Sequence, residues 1–153
     1  HLETHLMIEK PHKSLNQYID AGSDTIIIHL EASNNPERDL EYIRDNNICA
    51  GIAINPDTDE HLLSSLFDYL DYILIMSVLP GKGGQKFISK TINKMKNIVS
   101  MRADRNIVIG VDGGVNMQTI SEVFATNIDV AIVGSGLFMA QDVQNRYNEL
   151  MNA

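Results

Sequence analysis

The sequence predicts an α/β fold of the TIM (β/α)8-barrel type in which about six βα units are present and the first two are missing. Three observations carry that expectation. Short β-branched runs alternate with helical patterns at even spacing, the signature of βα units and a parallel sheet. Several runs, such as Ile26-Ile27-Ile28 and Ile73-Leu74-Ile75-Met76, are apolar at successive positions, as happens when both faces of a sheet are covered. Three of them end in glycine-rich turns, and in barrels the last βα loops commonly form a phosphate site at the carboxyl rim of the strands.

The first strand is expected over residues 5–8, where alternation puts His5 and Met7 on one face and Leu6 and Ile8 on the other. A helix over 11–21 opens on Pro11, whose fixed φ suits a first helical position, and stops at Gly22. A strand over 25–30 follows, then a helix over 36–46 that opens on Pro36 in the same way. After a strand over 49–54, Asp57-Thr58-Asp59 offers caps for a helix over 61–70. The strand over 72–76 runs into Pro80-Gly81-Lys82-Gly83-Gly84, with a helix over 89–101 behind it. The strand over 107–111 runs into Asp112-Gly113-Gly114, and Asn116 caps a helix over 117–125. The last strand, 129–133, meets Gly134-Ser135-Gly136, and the last helix spans about 142–151. An open sheet of this kind leaves residues 2–8 with unpaired backbone groups on one side, so a longer protein or another chain is expected to cover that edge.

The 153 residues, 44% of them hydrophobic, are expected to form one domain, residues 1–153, with a sizeable core. A formal charge of −8 argues against a nucleic-acid partner, and no apolar run approaches the length of a membrane span. Lys82, Lys86, Lys90, Lys94 and Lys96 gather around the glycine turn, either as a patch that steers a small anion or as a solvated helix face. The single cysteine, Cys49, can form no intrachain disulfide, which suits a reducing, cytoplasmic location; it is expected to be buried and inert.

Three glycines in four positions, Gly81, Gly83 and Gly84, let backbone N–H groups converge on one space, the local chemistry for holding a phosphate. Asp112, an acid at a strand end before two glycines, points into the mouth of a barrel or else serves as a turn residue. His5 reads as a ligand or a hydrogen-bonded core histidine; His29, sharing a face with Glu31, reads as a packing or supporting residue at a strand end. Met76 is either pocket wall or core, and Ser77 and Asn55-Pro56 are strand-end residues of no specific role.

Taken together, His5-Leu6-Met7-Ile8-Glu9-Lys10-Pro11, His29-Leu30-Glu31-Ala32, Met76-Ser77-Val78-Leu79-Pro80-Gly81, Gly83-Gly84-Gln85-Lys86-Phe87, Val111-Asp112-Gly113-Gly114 and Gly134-Ser135 resemble the ribulose-phosphate 3-epimerase family of ribulose-phosphate-binding barrels. The resemblance implies a small phosphorylated ketose substrate, D-ribulose 5-phosphate interconverting with D-xylulose 5-phosphate by metal-assisted two-base proton transfer at C3 through an enediolate. It implies one divalent ion (Zn, Fe, Mn or Co) on His5 and Asp112, with Asp112 also one of two acid/base aspartates. It places His5, Gly81, Lys82, Gly83, Gly84, Gly113, Gly114, Gly134 and Ser135 on substrate, with Met7 and Met76 as walls. The family's second acid/base aspartate and second metal histidine lie on a second strand, and a substrate serine on a first; this sequence has neither strand, so the chain alone is expected to be nearly inactive. Lys82 stands where the family usually has an aromatic residue, and Thr126-Asn127 replaces the usual Ala-Gly, a change that Asn tolerates in the left-handed region. An epimerase for another ketose phosphate, such as a hexulose 6-phosphate, and a non-catalytic phosphate-binding relic stand as alternatives. The open edge makes a homo-oligomer plausible.

Overall fold

The computed structural model describes residues 1–153. Six strands, Glu3–Leu6 (β1), Thr25–His29 (β2), Cys49–Ile54 (β3), Tyr72–Met76 (β4), Val108–Asp112 (β5) and Val130–Ile132 (β6), pair in parallel in the order β1-β2-β3-β4-β5-β6. Between and after them lie the helices Leu15–Asp20 (α1), Pro36–Asp45 (α2), Thr91–Arg102 (α3), Ile120–Phe124 (α4), Ser135–Phe138 (α5) and Val143–Met151 (α6). Each crossover steps one strand in the same direction, which winds a barrel; a doubly wound sheet reverses direction midway.

The sheet is strongly curled. β1 and β5 stand four places apart, roughly 19 Å in a flat sheet at about 4.8 Å per strand, yet the His5 imidazole lies 3.9 Å from the Asp112 carboxylate. Alternation sorts the side chains between the two faces. Leu6, Ile26, Ile28, Ile52, Ile54, Ile73, Ile75, Ile109 and Val111 pack outward against Leu40 and Ile43 of α2 and Ile92, Met95 and Ile98 of α3. Ile27, Ala53, Tyr72, Leu74 and Met76 fill the concave face. Glycine makes room there: a Cβ on Gly51 would fall 2.6 Å from Ile27 Cγ1, and one on Gly110 would fall 2.3 Å from the Tyr72 hydroxyl.

Several boundaries differ from the sequence expectation for physical reasons. The β1 ladder ends at Leu6 opposite Ile28, and the chain then crosses the rim through a left-handed Lys10 (φ 54°) to Pro11. The segment read as one helix over 11–21 is a 3-10 turn, Pro11–Lys13, followed by α1. The segment read as a helix over 61–70 is two 3-10 turns, Glu60–Ser65 and Phe67–Tyr69; its buried Leu63 and Leu66 recur at i, i+3, the 3-10 period. α5 has no counterpart in the sequence expectation, because four residues show no periodicity. Asn127 takes the left-handed conformation (φ 64°) that its replacement of glycine requires.

Two side chains correct the expectation outright. Cys49 is exposed rather than buried, because it is the first residue of β3, at the amino rim. Lys94 belongs to no solvated patch: it is buried on α3, and its ammonium donates to the carbonyl of Asn55 at 2.9 Å and to that of Thr58. It thereby staples α3 to the loop after β3, while Lys90 pairs with Asp57 on the surface. Lys94→Met would orphan the Thr58 carbonyl and leave the Asn55 carbonyl with the Thr58 N–H alone, and is expected to cost ~1–3 kcal/mol, read as a lower urea midpoint at unchanged slope. No helix is long and apolar enough to cross a membrane.

Candidate active site

The carboxyl ends of β4, β5 and β6 carry the three glycine turns, and these surround one cavity of ≈ 500 Å³. Gly81, Lys82, Gly83, Gly84, Gly113, Gly114, Gly134 and Ser135 all line it, together with Met7, Met76 and Asp112. Positive φ is needed at Gly81 (109°) and Gly84 (71°) in the first turn and at Gly113 (123°) and Gly114 (67°) in the second. The second turn is also a close approach: a Cβ on Gly113 would fall 2.4 Å from Val78 Cγ2, and one on Gly114 would fall 2.4 Å from the Phe87 nitrogen.

Two residues that the sequence did not mark as site builders hold these turns. The Ser77 N–H donates to Asp112 O at 2.8 Å and its hydroxyl to Gly113 O at 2.6 Å, tying the Asp-Gly-Gly turn to the end of β4. The Gln85 amide donates to Leu79 O at 2.6 Å and to Lys82 O at 2.8 Å, closing the first glycine turn on itself. Ser77's only signal was its strand-end position, and Gln85 gave none beyond its place after the glycines.

Asp112 points from the end of β5 into this cavity, and burial raises its carboxyl pKa. His5 does not line the cavity; it meets the site at Asp112, with Nδ1 3.9 Å from Oδ2. Burial, helped by the neighbouring His29, lowers the His5 imidazole to about 4, so the ring is neutral at neutral pH. His29 touches it directly: the two Nε2 atoms are 2.8 Å apart, with ring planes 19° from parallel and centroids 4.9 Å apart. That combination describes two rings meeting edge to edge through a hydrogen bond.

His29 leads outward to Glu31, whose Oε2 lies 3.5 Å from its Nδ1. The other carboxylate oxygen accepts from the Asn55 N–H at 2.8 Å and from the Thr58 hydroxyl. His29, Glu31 and Asn55 border a second cavity of ≈ 500 Å³ that shares Met7, Pro80 and Gly81 with the first. Burial pulls the Glu31 carboxyl upward, but His29, Thr58 and Asn55 outweigh it and hold the group at about 2, against an ordinary 4.5. A carboxyl depressed in the folded state stabilises the fold above its unfolded value, and that support is lost as the pH falls. Thermal midpoints of the wild type and of Glu31→Gln are therefore expected to differ above pH 4.5 and to converge as the pH falls towards 2.

His5 and Asp112 fit a divalent cation as two of its ligands. Two donors on one ion at 2.0–2.1 Å lie within about 4 Å of each other, and imidazole with carboxylate suits Zn, Fe, Mn or Co. Catalytic sites of this type usually take three protein ligands, and no cluster of three His, Cys, Asp or Glu in the chain is arranged to hold an ion.

A model of the family described as "Ribulose-phosphate 3 epimerase family" matches residues 1–138. The ribulose-phosphate 3-epimerase of Aquifex aeolicus is 36% identical over 151 residues, an alignment covering 97% of this chain and 68% of that protein. The enzyme of the same name from Bacillus subtilis is 34% identical over 152 residues, covering 97% and 70%. Among solved structures, the 3-keto-L-gulonate-6-phosphate decarboxylase of Vibrio cholerae superposes with a TM-score of 0.74 at 16% identity, covering 99% of this chain and 70% of that one. The 3-hexulose-6-phosphate synthase of Salmonella typhimurium does so at 0.69 and 19%, covering 96% and 68%. At such identities the structural matches speak for the barrel-type fold alone.

Proposed function

The chain belongs to the ribulose-phosphate 3-epimerase family, and from that premise we propose that it binds a pentulose 5-phosphate and exchanges the proton at C3. The supporting observation is that a glycine-walled cavity able to hold a phosphate opens directly onto Asp112. The phosphate is held by backbone N–H groups of the turns at Gly81–Gly84, Gly113–Gly114 and Gly134–Ser135, with the exposed Lys82 adding a cation at the mouth. Met7 and Met76 wall the carbon chain, and Met76, fully buried, keeps water from the floor. Asp112, as the carboxylate, takes the C3 proton and returns it; burial brings its pKa towards the working range of a general base. His5, neutral, accepts a cation or a substrate hydroxyl beside it. A divalent cation, when bound, supplies Lewis-acid charge against the developing enediolate.

Inversion needs an acid/base group on each face of C3, and Asp112 is the one that this chain brings to the cavity. The reading therefore has the chain exchange C3 from one face, with interconversion of D-ribulose 5-phosphate and D-xylulose 5-phosphate much slower. Calorimetric titration tests the binding half. Ribulose 5-phosphate is expected to bind and ribulose without its phosphate is not, and Lys82→Ala is expected to weaken the phosphorylated sugar a few-fold. Equal affinity for both sugars would remove the phosphate site.

A further inference from the structure

We infer that Glu31 and His29 are positioning residues that set the tautomer of His5, so that its Nδ1 offers a bare lone pair to the space shared with Asp112. The inference deepens the proposed site and rests on that reading of it.

The 2.8 Å contact between the Nε2 atoms of His5 and His29 requires one N–H and one lone pair, so the tautomers of the two rings are coupled. With the His29 proton on Nδ1, its Nε2 accepts, His5 donates from Nε2, and His5 Nδ1 is left bare. With the His29 proton on Nε2, every role reverses, and His5 Nδ1 carries a hydrogen into the gap before Asp112, where a cation would sit. The outer ends of the chain decide between these states. Glu31 Oε2 faces His29 Nδ1 at 3.5 Å, a shorter approach than the 3.9 Å between His5 Nδ1 and Asp112 Oδ2. Its orientation is fixed, because Oε1 is committed to the Asn55 N–H and the Thr58 hydroxyl. Both ends carry acceptor-only carboxylates, and the nearer and better-anchored one, Glu31, selects the first state. A carboxylate that orients a histidine through its second nitrogen is a common support for metal ligation; here it acts through an intervening imidazole.

The test reads protons directly. In 15N-labelled chain at pH 8 with a chelator present, long-range 1H–15N correlations are expected to show His5 protonated on Nε2 and bare on Nδ1, and His29 the reverse. Glu31→Gln is nearly isosteric. Its amide oxygen must stay on the Asn55 N–H, which turns the NH2 towards His29 Nδ1 and makes that nitrogen an acceptor. Both rings are then expected to swap tautomers at an unchanged far-UV spectrum, and affinity for Zn²⁺ alone, measured by competition with a chromophoric chelator, is expected to fall ~10–100-fold. His5 protonated on Nδ1 in the wild type, or an unchanged His5 tautomer in Glu31→Gln, would overturn the inference. Neither readout involves a sugar, so intact tautomers with no sugar-phosphate binding would count against the proposed substrate and leave the positioning role standing.

Discussion

Asp112→Asn is expected to reduce C3 proton exchange by ~10²–10⁴-fold, the usual contribution of a positioned general base, while leaving the fold intact. The amide matches the carboxylate in shape, and the backbone bonds that place the residue, from the Ser77 N–H and hydroxyl to Asp112 O and Gly113 O, do not involve the side chain. The effect on stability should run opposite to that on activity. Burial raises the folded pKa of this carboxyl, so its ionised form is destabilising in the folded state. Removing the charge should therefore hold or raise the thermal midpoint at neutral pH. Exchange that survived in a folded Asp112→Asn chain would mean that another group moves the proton.

Gly114→Ala is expected to disable the phosphate site from behind. The residue sits at φ 67°, and an added Cβ would lie 2.4 Å from the Phe87 nitrogen and 2.8 Å from the Gln85 carbonyl oxygen. Both obstacles are backbone, so the segment that closes the first glycine turn must move. The left-handed strain alone costs ~1–3 kcal/mol, and the displaced turn is expected to weaken ribulose 5-phosphate binding by at least ~10-fold, about 1.4 kcal/mol. Gly83→Ala is the control. That glycine has an ordinary φ, and an added Cβ would meet nothing within 4 Å, so alanine there is expected to shift stability by less than ~0.5 kcal/mol. The two substitutions are alike in sequence and differ only in what surrounds them.

That contrast shows where sequence reading stops. The parallel sheet was legible because strands covered on both faces read as unbroken apolar runs, and β2 and β4 fall where those runs lie. The glycine turns and Asp112 were legible because function in this architecture sits at the strand ends. Alternation placed His29 with Glu31 on one face of their strand and His5 with Met7 on one face of theirs. What alternation cannot supply is curvature, and only the curl of the sheet carries His5 across to Asp112; His29 meets His5 directly, two residues beyond Ile27, the partner of His5 on the neighbouring strand. Burial of individual side chains was also beyond reach: Lys94 is inside because its face of α3 meets the loop after β3, and Cys49 is outside because its strand begins there. Ser77 and Gln85 work through backbone carbonyls that no residue pattern announces.

The most direct test of a sugar-phosphate site with Asp112 as its base is deuterium exchange. The chain would be incubated with D-ribulose 5-phosphate, and separately with D-xylulose 5-phosphate, in deuterium oxide with Zn²⁺, and C3 followed by NMR. Deuterium is expected to enter C3 of one of the two sugars, with retention, faster than the other sugar appears, and to be lost in Asp112→Asn. No deuterium at C3 of either sugar, in a folded chain shown to bind the phosphorylated ketose, would contradict that role for Asp112.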